Sequence, residues 1–223
     1  MARLILIPTP IGNLEDITLR ALETLKSIDL LFAEDTRHTA RLLAHFDIQV
    51  PLKSFHQHNE HNKLEEYLEI IESNQASGLV SDAGMPGISD PGFLLVRAAI
   101  ERGIEIEVLP GPSAVLPALV LSGFPSDRFV FEGFLPHKKG RLKRLQELSE
   151  ETRTMVFYES PYRIEKAINQ MIEIFGPERK ASVVREISKL HEEVLRGSLE
   201  ELLTTESVKN PRGEYVIVLS GAL

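Results

Sequence analysis

The sequence reads as an α/β protein made of two α/β domains, the first with a largely parallel sheet. Two observations point there. Short apolar runs that stop at Gly, Pro or an acid alternate with longer segments whose apolar residues recur at helical spacing. The composition then changes at 123–128 (GFPSDR), after which the alternation resumes, so the expected domains are 1–122 and 123–223. A chain of 223 residues is long enough to bury a core in each.

The elements follow in order. Residues 4–7 (LILI) form a buried strand stopped by prolines. From Asp16 the apolar positions Ile17, Leu19, Leu22, Leu25 and Ile28 mark a helix, with Asp16 or Thr18 as its cap. A strand at 30–33 runs into Glu34-Asp35-Thr36-Arg37, a helix covers 39–46, and an extended segment leads through Pro51 to Phe55. Residues 56–62 open a helix carrying Leu64, Tyr67, Leu68 and Ile71. A strand at 77–81 enters the loop 82–91; then come a helix at 94–101, a strand at 104–109 and a helix over 114–121. In the second half, strands are expected at 129–134, 154–158, 180–185 and 214–219, and helices at 141–150, 162–175 and 199–206. No repeat or low-complexity tract interrupts the pattern.

Composition removes several function classes. There is no cysteine, so disulfides, thiolate nucleophiles and Cys-ligated metals are excluded. The N-terminal apolar run is broken by Pro8, Pro10 and Gly12 before a signal-peptide core could form, and no later run could span a bilayer, so a cytoplasmic location is expected, with no membrane partner. A net charge of −8 argues against indiscriminate coating of nucleic acid. A local basic face is nevertheless available at His137, Lys138, Lys139, Arg141, Lys143 and Arg144; equally, that run could be a solvated helix start.

Ligands of open α/β sheets lie beyond the carboxyl ends of the strands. Here those ends are rich in Gly and Pro: 8–13 after the first strand, 82–92 after the strand at 77–81, and 110–113 after the next. Such loops let main-chain groups approach a ligand without an entropic cost on ordering. They suit an adenine and ribose read through polar edges. No G-x-G-x-x-G follows a strand, and G-x-x-x-x-G-K-[ST], G-x-S-x-G and H-E-x-x-H are absent. His56, His58 and His61 lack the spacing and second cluster of a metal shell, so no metal is expected.

Eight ordered segments then carry a resemblance: 4–22 (LILIPTPIGNLEDITLRAL), 33–43 (AEDTRHTARLL), 80–92 (VSDAGMPGISDPG), 108–119 (VLPGPSAVLPAL), 132–141 (EGFLPHKKGR), 155–164 (MVFYESPYRI), 185–193 (REISKLHEE) and 213–221 (GEYVIVLSG). Together they resemble the ribosomal RNA small-subunit methyltransferase I family, an RNA-acting branch of the tetrapyrrole methylase-like enzymes. The resemblance implies methyl transfer from S-adenosylmethionine to the ribose 2′-hydroxyl of a cytidine in the decoding region of 16S rRNA. It also implies a homodimer, with the cofactor in the cleft between the domains. By similarity the cofactor's contacts fall on Pro8, Pro10 and Ile11; on Gly84, Met85, Pro86, Ile88 and Ser89; on Ser113 and Ala114; and on Tyr158, Val184 and Glu214. One departure stands out. Tetrapyrrole methylases usually carry Asp where this chain has Met85, so Asp82 is the carboxylate that could enter from a shifted position.

A ribose hydroxyl is a poor nucleophile at neutral pH, so a nearby base or anchor is expected. The candidates sit at three strand ends: Glu34, Asp35 and Arg37; Glu159; and Arg185, Glu186, Lys189 and Glu192. For RNA docking the expected face is 137–144, with Arg163 and Lys166 as neighbours. Two rivals remain open at this stage: a methyltransferase of tetrapyrrole precursors, and a non-catalytic ribosome-binding factor of the same fold.

Overall fold

The computed structural model describes residues 2–56, 60, 62–136 and 140–222. It divides into two compact units, 1–113 and 114–223.

In the first unit five parallel strands, β1 (Arg3–Leu6), β2 (Leu30–Ala33), β3 (Leu52–Ser54), β4 (Ala76–Val80) and β5 (Glu105–Val108), lie in the order β3-β2-β4-β1-β5. Helices α1 (Leu19–Ser27), α2 (Thr36–His45), α3 (Leu64–Ser73) and α4 (Phe93–Glu101) connect them. The uninterrupted apolar run at 4–7 follows from burial of both sheet faces. Ile5 and Ile7 pack with Leu25, Leu31 and Leu43, whereas Leu4 and Leu6 pack with Phe32, Phe55, Tyr67 and Leu95. Thr18 caps α1, its side chain accepting from the Ala21 N–H. Gly78 sits at the centre of β4 because a Cβ there would lie 2.6 Å from Ile28 and 2.8 Å from Leu31.

The second unit starts with α5 (Val115–Ser122) and holds β6 (Phe129–Phe134), α6 (Gly140–Glu147), β7 (Thr154–Glu159), α7 (Ile164–Phe175), β8 (Lys180–Arg185), β9 (Glu193–Ser198), α8 (Leu199–Leu203), α9 (Glu206–Lys209) and β10 (Tyr215–Leu219). Its sheet runs β6-β7-β10-β8-β9. Only β6 and β7 are parallel; the other pairs are antiparallel. One sheet face packs on α6, α7 and α8 through Leu145, Met155, Phe157, Ile168, Met171 and Leu199.

Two expectations need correction. The strand Glu193–Ser198 was not foreseen; its side chains alternate only weakly and it is a half-buried edge. The change of unit also precedes the Gly123–Arg128 composition shift. Helix α5 packs on β8, β9 and β10, and the Arg196 Nε donates to the Leu121 carbonyl at 2.9 Å. Gly123 is its left-handed C-cap (φ 74°), so the turn residues there end a helix.

Candidate active site

In the first unit the Gly- and Pro-rich loops meet at the carboxyl ends of β1, β4 and β5. Thr9 and Gly84 exchange two main-chain hydrogen bonds, both 2.9 Å. The Thr9 hydroxyl donates to the Ser81 carbonyl at 3.3 Å. A Cβ on Gly84 would lie 3.4 Å from Ile11 and 3.8 Å from the Pro112 carbonyl, and one on Gly111 would collide with Pro8 at 2.7 Å. The three loops therefore touch through backbone, and glycine is what permits the approach. Ser89 holds a left-handed backbone (φ 62°) inside the 82–92 loop, a conformation that a non-glycine residue adopts only when its surroundings impose it. Ile88 is 45% exposed, Ile11 and Met85 are half-buried, and Pro8 and Pro86 are buried.

Carboxylates gather beside this cradle. The Asp82 Oδ1 accepts from the Asp35 N–H at 3.0 Å, and the Asp82 N–H donates to Glu34 Oε2 at 3.4 Å, tying the ends of β2 and β4 together. Asp90, in the same loop, has its carboxyl pushed up to about 6, first by burial and then by the charges of Glu34 and Asp82; the Ser81 hydroxyl pulls the other way. Glu34 is also raised, by burial and by Asp82, with the Asp82 N–H and His56 opposing. Neither Asp90 nor the placement of His56 was read from the sequence.

Glu60 was also missed. It is 5% exposed, and its Oε1 accepts from the N–H groups of Gly92, Leu94 and Leu95 at 3.2, 3.0 and 3.2 Å. It thus closes the start of α4, where the 82–92 loop ends. His58 and His61 lie outside the described residues. Among the described residues no group of three His, Cys, Asp or Glu could hold a metal ion.

Asp35 and Arg37 have a local explanation. Asp35 caps α2 through the Arg37 N–H at 2.8 Å and binds the Arg37 guanidinium at 3.1 and 2.7 Å, which holds its carboxyl well below the usual range.

In the second unit Glu186 and Lys189 come together at the end of β8. The Lys189 Nζ lies 2.9 Å from Glu186 Oε1 and 2.7 Å from Glu214 Oε2, and Glu186 Oε1 also accepts from the Glu214 N–H at 2.9 Å. Burial opposes both shifts, yet the two carboxylates raise Lys189, and Lys189 with the Glu214 N–H lowers Glu186. Glu186 and Ser188 are both left-handed (φ 53° and 67°). Glu192 Oε2 accepts from the Ser188 N–H at 2.7 Å, closing the turn, and Arg185 faces Glu193 at 3.4 Å. Val184 is fully buried in β8, whereas Tyr158 is half-buried against Phe131 and Phe134. Ser113 is half-buried at the end of the first unit, and Ala114 begins the second as the N-cap of α5.

Glu159 is not placed as a base. Its side chain is 2% exposed and held by Arg141 at 2.6 Å and by Arg163 at 2.8 Å. Arg141 is equally buried, so it does not belong to an exposed basic face. A carboxylate held by two guanidiniums is a structural lock. Arg144 grips Glu132 at 2.6 and 2.7 Å and Glu147 at 2.9 Å, while Lys143 and Lys166 are exposed. His137, Lys138 and Lys139 lie outside the described residues.

A strand-end cradle of main chain beside paired carboxylates, on a parallel sheet, is suited to a nucleoside-bearing cofactor and proton-coupled group transfer. The model of the tetrapyrrole (corrin/porphyrin) methylases matches residues 3–203. Ribosomal RNA small subunit methyltransferase I of Thermotoga maritima is 47% identical over 221 residues, 99% of each chain. The enzyme of the same name from Xylella fastidiosa is 48% identical, covering 97% of this chain and 81% of its own. A crystal structure of diphthine synthase superposes with a TM-score of 0.76 over 99% of this chain and 91% of its own; at 16% identity that shows the fold. The chain belongs to the tetrapyrrole methylase family and, within it, to the ribosomal RNA small subunit methyltransferase I family. It is accordingly an S-adenosylmethionine-dependent methyltransferase.

Proposed function

We propose that this protein methylates the ribose 2′-hydroxyl of a cytidine in the decoding region of 16S rRNA, acting as a cytoplasmic homodimer. The observation that carries the chemistry is the juxtaposition of the Thr9–Gly84 cradle with Glu34, Asp82 and Asp90. The acceptor is supported by the shared name of relatives 47–48% identical along the chain.

The cradle fits the cofactor. Main-chain groups of the loops at 8–13, 82–92 and 110–113 suit the polar edges of adenosine, and Ile11, Met85 and Ile88 offer apolar contact. The neighbouring carboxylates suit a cationic sulfonium. When bound, the cofactor supplies a methyl group already activated for displacement, so the protein's task is to place the nucleophile and accept its proton. Glu34 and Asp90 are suited to that task, because a carboxyl raised toward neutral pH holds a proton better than an ordinary one. Asp82, two residues before Gly84, supplies negative charge in the loop where Met85 does not. Lys189, Glu186 and Arg185 form a second polar group suited to the acceptor's ribose or phosphate.

The test is methyl transfer to small ribosomal subunits from a strain lacking the gene, followed by mapping of the modified nucleotide. One 2′-O-methylcytidine in the decoding region is expected. A methylated base, or transfer to a corrin or porphyrin precursor with rRNA unlabelled, would overturn the reading. Glu34→Gln and Asp90→Asn should slow single-turnover transfer at least tenfold with cofactor affinity retained.

A further inference from the structure

Helix α2 breaks the charge pattern of an acidic chain. Over Thr36–His45 it carries Arg37, His38, Arg41 and His45 and no acid. Every other α-helix named above that bears charged residues includes a Glu. On α1, α4 and α6 cations are answered along the helix itself, Lys26 by Glu23, Arg97 by Glu101 and Arg144 by Glu147. A solvated face in a chain of net charge −8 normally mixes signs in this way. The face of α2 does not.

Thr39 and Leu43 are buried, which turns the opposite side of the helix outward. There Arg37, Arg41 and His45 follow one another at steps of four residues, with His38 beside them, and all four are exposed. Ala40 and Ala44, also exposed, add no bulk to the face. Arg37 is paired with Asp35 at 2.7 Å, so its charge is largely spent. Arg41, His38 and His45 form no ion pair with any described residue, and the first acid after them, Asp47, lies beyond the last turn.

This stripe starts at the candidate active site. Asp35, the N-cap of α2, donates its N–H to Asp82, and Glu34 precedes it. From residue 37 to residue 45 the stripe runs about 12 Å along the helix, enough to follow a strand past more than one phosphate. Cations at this position would offset the repulsion that Glu34, Asp82 and Asp90 exert on an incoming polyanion.

We propose that the outer face of α2, with Arg41 at its centre, docks the phosphate backbone of the RNA substrate beside the site. This rests on the RNA reading above and adds a surface on the first unit at which the strand is held. Phosphate oxygens are the complement of guanidinium and imidazole N–H groups, and such contacts position a strand without reading its sequence.

The test titrates full-length protein with protein-free 16S rRNA and with small ribosomal subunits, both from a strain lacking the gene, at several salt concentrations. Wild type is compared with Arg41→Gln, Arg41→Lys and a control, Arg97→Gln, on α4 at the other face of the sheet. Arg41→Gln should flatten the slope of log affinity against log salt by about 0.7–0.9 on both probes, making its deficit about threefold larger at 50 mM than at 200 mM salt. Arg41→Lys keeps the charge and should keep the slope, as should Arg97→Gln. S-adenosylmethionine affinity by calorimetry should be the same for all four. A wild-type slope in Arg41→Gln, an equal change in Arg97→Gln, or a loss of cofactor affinity overturns the docking face. Weaker binding to subunits with rRNA binding unchanged gives the face to a ribosomal protein and overturns it as well. Wild type that binds neither probe overturns the RNA reading itself, and the docking face falls with it.

Discussion

Asp90 is the side chain with the most to say about pH. Its carboxyl rises from 3.8 to about 6, burial contributing most and the charges of Glu34 and Asp82 next. Because the folded pKa exceeds the unfolded one, the folded state binds this proton more tightly. Its contribution to stability is present below about pH 4 and lost as pH rises through about 6. Two pKa units correspond to about 3 kcal/mol, which solvent screening at this partly exposed group reduces to about 1–2 kcal/mol. Asp90→Asn, a mimic of the protonated acid, should therefore match wild type at pH 4 and exceed its stability by that amount at pH 7.5. Urea unfolding at the two pH values measures it, and a difference independent of pH would remove the raised carboxyl from the account. The sequence could not show this residue's role. Asp90 sits among turn residues where an acid is unremarkable, and its shift comes from burial and then from the charges of Glu34, at another strand end, and Asp82, none of which local sequence shows. Glu159 presents the opposite case: it reads as a candidate base at a strand end, yet Arg141 and Arg163 hold both of its oxygens.

Helix α4 depends on one acid far from it in sequence. Glu60 answers three amides at the helix start, donors that no residue of α4 itself can satisfy. Glu60→Ala should cost about 2–4 kcal/mol, since it strands buried donors and removes a charge favourable to the helix dipole. Glu60→Gln retains an accepting oxygen and should cost about 1 kcal/mol. Chemical denaturation would rank the two, and equal losses would mean that packing rather than hydrogen bonding governs the site. Because the 82–92 loop runs into this helix, cofactor affinity should fall with the Ala variant more than with Gln. Elements of this kind divide into legible and illegible parts. The apolar run at 4–7 was readable, and the cap of α1 was narrowed to Asp16 or Thr18, because strand period and capping are local. The unit to which α5 belongs was not, because Val115–Ser122 is apolar on nearly every side and carries no period to choose a sheet. The edge strand β9 was hidden by the charges of Glu193 and Arg196, which half-exposure tolerates.

Across the molecule the acidic balance and an RNA substrate place opposite demands on the surface. A net charge of −8 repels phosphate at long range, so affinity must come from a few cations placed together. Much of the positive charge near α6 is already committed: Arg141 to Glu159, and Arg144 to Glu132 and Glu147. On α6 and α7 the exposed Lys143 and Lys166 are suited to phosphate. The sequence pointed to this basic run but not to which members were available, because ion pairing across strands has no signature in composition. Each phosphate contact contributes about −0.7 to −0.9 to the slope of log affinity against log salt. Replacing both lysines by Glu should therefore flatten the slope by about 1.5 and weaken binding most at low salt, with cofactor affinity unchanged. Titrations of labelled RNA from low to moderate salt measure the slope. A lysine variant that keeps the wild-type slope would move the phosphate contacts off α6 and α7 altogether.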